Sequence, residues 1–138
     1  MSVKENLQLI DSMMASYNAR DWRRFGEIHA ESALMNEPGL KPYKGRDAIL
    51  KSYQGMLSVF PDALMKKVRA FGQGDLISFE MVASGTHKGP PVGPDGRTIP
   101  ATNRRVEVEI VAIAKIHDGK IVEFHESYDR LGLLAQLG

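Results

Sequence analysis

A chain of 138 residues with 18 Lys and Arg against 17 Asp and Glu can bury a sizeable core, but it carries no single-sign field suited to nucleic acid or an anionic membrane. Cysteine is absent, which excludes disulfides, thiolate catalysis and thiolate metal sites and fits a reducing cytoplasm. Glu5 and Asp11 interrupt the first apolar stretch, so neither a signal segment nor a membrane span is expected, and the chain reads as one domain over residues 1–138.

In chain order, Val3, Leu7, Ile10, Met14 and Tyr17 recur at helical spacing behind a Ser2/Glu5 capping box. Asp21 caps a shorter helix with Trp22, Phe25 and Ile28 or His29 inward, and "NEPGLKPYKG" breaks it. A third helix runs from Asp47 through Ile49, Tyr53, Met56 and Phe60 until Pro61 stops it. The period then falls to two. Strands are expected at Leu64–Phe71, Leu76–His87, Arg104–Ile116 and Lys120–Tyr128, with a helical turn at Leu131–Leu137. "KGPPVGPDGRTIPATN" holds four of the seven prolines and three glycines and reads as a rim loop; it lacks the Lys-Ser/Thr ending of a phosphate loop. Helices followed by a mainly antiparallel sheet predict an α+β fold.

Asp118-Gly119 is a strong signal for a two-residue hairpin turn. A regular ladder from that turn pairs Ala114 with Glu123, Ala112 with His125, Ile110 with Ser127 and Val108 with Asp129. The even-numbered residues from Val106 to Ile116 are apolar and face inward, so His125, Ser127 and Asp129 are expected to line a pocket with them. Val111, Ile113, Val122 and Phe124 then share an outer face too apolar for water, which predicts a homodimer through the sheet. A bulge in the hairpin would reverse this parity.

"GTHKG", the Pro/Gly loop leading to Arg104-Arg105, "HDGKIVE" and Asp129 followed by "LLAQLG" resemble the SnoaL-like polyketide cyclase family. "NARDW", "NEPG" and "YKGRDAI" extend the resemblance over nearly the whole chain. It implies a nuclear-transport-factor-2-like (NTF2-like) cone, as in ketosteroid isomerase: a curved sheet wrapped around the N-terminal helices with a deep apolar pocket. It further implies a dimer, and an aldol cyclisation without metal or cofactor in which Asp129 is the acid/base, with His87 and Asn36 near it. The family's cyclases carry Gln and His where this chain has Ile110 and Ala112. Hydrolysis, isomerisation, hydroxylation and ligand binding without chemistry therefore stand beside aldol closure as readings.

In an apolar pocket Asp129 would have a raised pKa suited to moving a proton at an acidic carbon; its alternative is a helix cap. His125 and His87 are candidate donors, or else interior histidines that fix their neighbours. Asn36 is a candidate ligand contact or an Asx turn. Tyr17, Trp22, Tyr53, Met56, Phe60 and Met81 are candidate pocket walls that would otherwise be ordinary core, and Ile110, Ala112 and Ser127 complete the expected lining. No pair of histidines stands at metal-ligand spacing. The expected ligand is a small apolar or aromatic carbonyl compound.

Overall fold

The computed structural model describes residues 2–89 and 100–138, so most of the Pro/Gly loop lies outside the described residues. Helix α1 (Val3–Asn18) opens with the expected capping box, the Ser2 hydroxyl accepting from Glu5 N–H at 3.1 Å. Asp21 caps α2 (Trp22–Ile28), accepting from Arg24 N–H at 3.0 Å. Helix α3 (Arg46–Val59) ends before Pro61.

Two strands escape the sequence pattern: β1 (His29–Asn36), which leaves α2 directly, and the two-residue β2 (Tyr43–Lys44). The expected strands follow as β3 (Leu64–Gln73), β4 (Leu76–Thr86), β5 (Arg105–His117) and β6 (Lys120–Ser127), and α4 (Arg130–Gln136) closes the chain. The six strands form one sheet in the order β2-β1-β6-β5-β4-β3, antiparallel except where β1 runs parallel to β6. The α+β class holds. The expectation of helices first and strands afterwards does not, because β1 inserts beside the last strand.

The core lies between the sheet's concave face and the helices. Ile10, Met13, Phe25, Phe79 and Phe124 are at most 1% exposed, each worth about 1.5–3 kcal/mol of burial.

The hairpin between β5 and β6 determines what faces that interior. His117 pairs with Lys120 around Asp118 and Gly119, whose φ angles of 49° and 72° fit the expected type I′ turn. One step later the ladder slips: Ile116 pairs with Ile121, but Lys115 pairs with Glu123, leaving Val122 as the extra residue of a bulge. From there Phe124 stands opposite Ala114 and Glu126 opposite Ala112. The regular register is thereby corrected. His125 and Ser127 turn to the outer face opposite Ile113 and Val111, while Phe124 and Glu126 turn inward. The reason is burial: without the bulge, Phe124 would lie on the outside of the sheet.

Candidate active site

Between α1, α3, α4 and the concave sheet lies a cavity of about 110 Å³. Met56, Phe60, Ala63 and Met65 form one apolar wall, and Ala83, Val106, Val108, Ile110 and Leu133 form the other. Gly85 belongs to it because Phe60 leaves no space: a Cβ there would sit 2.9 Å from the Phe60 Cβ. The polar lining is Tyr17, Glu37, Ser52, Tyr53, Ser84, Glu126 and Tyr128.

Two of these are carboxyl groups in contact. Glu126 reaches the cavity because the bulge turned it inward against Ala112, and Glu37 reaches it because β1, lying beside β6, ends one residue earlier. Burial, then the charge of Glu37, then a hydrogen bond with Glu37 push the Glu126 carboxyl up to about 9. With its pKa raised that far by burial and by Glu37, Glu126 keeps its proton at neutral pH. The Arg130 guanidinium donates to the Pro38 carbonyl at 3.0 Å, fastening the turn that carries Glu37 to the start of α4.

Three phenols surround the pair. Burial raises Tyr17, raises Tyr53 well above the ordinary phenol value and pushes Tyr128 up to about 12, and the Glu126 charge adds to each. All three therefore remain O–H donors at neutral pH. The Tyr17 and Tyr53 rings pack edge to face at 5.7 Å, which fixes the two phenols relative to each other.

Of the residues singled out by sequence, Tyr17, Tyr53, Met56, Phe60 and Ile110 line the cavity. Trp22, Met81 and Ala112 stand behind it: Trp22 packs edge-on to Tyr17 at 5.7 Å, Met81 is buried opposite Ile110, and Ala112 is buried under Glu126. The other five are on neither wall. Ser127 is exposed opposite Val111. His125 lies on the outer face, where the Asn36 amide contacts its Nδ1 at 3.0 Å and Glu123 lies 3.5 Å from its Nε2. Asp129 is exposed and caps α4, accepting from Gly132 N–H at 2.8 Å. The expectation of Asp129 as a buried pocket acid is corrected by the bulge and by this cap.

His87 is fully buried and holds the base of the Pro/Gly loop: its Nδ1 accepts from Thr102 N–H at 3.0 Å, and its backbone N–H donates to the Arg104 carbonyl at 2.9 Å. Glu126, Glu37 and Tyr128 were not anticipated. The usable signal for Glu126 was Phe124, whose burial fixes the parity of everything after it.

A curved, open sheet wrapped around helices, with an apolar cavity between them, is the NTF2-like fold. The model of the SnoaL-like polyketide cyclase family matches residues 8–137, and the chain belongs to that family. IdmH from Streptomyces antibioticus, a candidate polyketide cyclase, is 28% identical with a TM-score of 0.80, covering 95% of this chain and 96% of its own. TsrD from Streptomyces laurentii is 26% identical with a TM-score of 0.85, covering 100% of this chain and 98% of its own. An LEH-like epoxide hydrolase from M. tuberculosis shares the fold at 12% identity and a TM-score of 0.76, over 98% of this chain and 90% of its own. No curated protein matches the sequence.

Proposed function

We propose that this protein is a proton-transfer enzyme that enolises a small apolar carbonyl compound and closes it by intramolecular aldol addition, with Glu37 and Glu126 as its acid/base pair. The observation that carries the reading is the contact between the Glu37 and Glu126 carboxyls at the edge of an apolar cavity, a pair that in this mechanism shares one proton. The ionised member takes a proton from the carbon next to the substrate carbonyl, and the Tyr17, Tyr53 and Tyr128 hydroxyls donate to the enolate oxygen as its charge develops. The enolate carbon then bonds to a second carbonyl carbon of the same molecule. The protonated carboxyl gives its proton to the alkoxide that forms, so the product is an isomer of the substrate. Neither half of this sequence needs an oxidant, reductant or metal. The role expected of Asp129 passes to the pair.

The direct test is deuterium exchange into cyclohexanone in heavy water, followed by NMR. The protein is expected to accelerate exchange over buffer, and Glu126→Gln and Glu37→Gln each to lower the rate by about 10²-fold or more. Exchange that is equally fast in both variants would remove the pair from the mechanism.

We infer also that a second copy packs on the outer sheet face. Val111, Ile113 and Phe71 are 51%, 46% and 67% exposed there, and Phe71, Ser78 and Ile113 form one cross-strand row. Phe124, expected on this face, is buried inside instead.

A further inference from the structure

The Glu37–Glu126 contact needs a support that neither carboxyl supplies. Strand β1 ends at Asn36, so Glu37 has no place in the ladder and opens a turn instead: the Leu40 N–H donates to its carbonyl at 3.3 Å, and Gly39, at a φ of 73°, fits the third position of a type II turn after Pro38. Glu37 is only half-buried, and water is the cheaper place for its charge.

The residues beside it oppose that escape. Asn36 and His125 are the last register partners of β1 and β6, and each immediately precedes one member of the acid pair, Glu37 or Glu126. Neighbours along an extended chain point to opposite faces, so Asn36 meets His125 on the convex side while Glu37 meets Glu126 on the concave side. The Asn36 amide N–H donates to His125 Nδ1 at 3.0 Å. An amide nitrogen only donates, so Nδ1 accepts and Nε2 carries the imidazole proton, with the Glu123 carboxylate 3.5 Å from it. We propose that Asn36 and His125 are positioning residues for the acid pair: their hydrogen bond on the outer face fixes the end of β1 on β6 and so keeps Glu37 in contact with Glu126. This rests on the acid-pair reading above and assigns the part that holds the pair together. Neither side chain lines the cavity, so both act through the sheet. Arg130 holds the Pro38 carbonyl on the far side, and Glu37 is thereby fastened at both neighbours. A surface hydrogen bond adds little net stability, whereas a reacting group misplaced by about 1 Å loses about 10²-fold in rate. The consequence of this bond is placement.

The test is the carboxyl titration of Glu126 by carbon-13 NMR, together with cyclohexanone deuterium exchange, in Asn36→Ala, His125→Ala and His125→Asn. Asparagine offers an acceptor close to the place of Nδ1 and so separates the hydrogen bond from the ring. The two alanine variants are each expected to lower the Glu126 midpoint from about 9 by about one pH unit or more, because the Glu37 charge moves away while burial remains. Exchange should fall in them by about tenfold or more, and His125→Asn should keep it within about twofold of the unaltered protein. A midpoint unmoved in both alanine variants overturns the latch, even where their stability in urea falls, and leaves the acid pair standing. A loss in His125→Asn as large as in His125→Ala overturns it too, since the ring and not the bond would then matter. A midpoint near 4.5 in the unaltered protein removes the pair itself, and the latch with it.

Discussion

Glu126 sits where a carboxylate is least welcome, against Ala112 and Ile110 with a second carboxyl in contact, and that cost has a measurable consequence. From the unfolded-state value of 4.5 up to about 9, the folded chain keeps a proton that the unfolded chain releases. The fold is therefore progressively destabilised as pH rises through that window, by up to about 1.4 kcal/mol per pH unit from this group. Glu126→Gln removes the penalty. Its stability in urea should equal that of the unaltered protein near pH 4.5 and exceed it increasingly toward pH 9; parallel curves would mean that Glu126 ionises normally. Asp129 behaves in the opposite way. As an exposed cap it should cost about 1 kcal/mol on replacement by Ala, while cyclohexanone exchange stays within about twofold of the unaltered protein.

One inserted residue in β6 separates the sequence reading from the structure. The helices were legible because their caps and apolar spacing are local, and the hairpin turn was legible because Asp118-Gly119 needs positive φ. Val122 carries no such local mark: a bulge is chosen by what it buries downstream, here Phe124. The polar alternate residues His125 and Ser127 were thus assigned to the wrong face, and Glu126 was overlooked. β1 was missed for a related reason, since Ala33 and Met35 are its only well-buried apolar positions and its partner β6 is distant in sequence. That strand is what delivers Glu37. The lining residues Tyr17, Tyr53, Met56, Phe60 and Ile110 survived because helix α1, helix α3 and strand β5 were correctly phased. Arg130 links two of these elements by holding Pro38. Arg130→Met should lower stability by about 1 kcal/mol. It should also shift the alkaline limb of the rate profile to lower pH, because Glu37 would no longer be held against Glu126. An unchanged limb would limit Arg130 to a structural role.

For the whole molecule, the two sheet faces divide the work. The concave face and the helices form the cavity, and the convex face leaves Val111 and Ile113 exposed, where the proposal seats a second copy. Ile113→Lys should leave the monomer folded, since the side chain is already 46% exposed, and shift sedimentation from dimer toward monomer. A variant that sediments like the unaltered protein would place the contact elsewhere. Both halves of the proposal depend on the inward turn of Glu126, which is open to direct measurement. Carbon-13 labelling of the glutamate carboxyls, with Glu126 assigned through the Glu126→Gln variant, gives its titration by NMR. The shared-proton pair predicts a midpoint near 9 that falls when Glu37 is replaced by Gln; a midpoint in the ordinary range near 4.5, unaffected by Glu37→Gln, would contradict it.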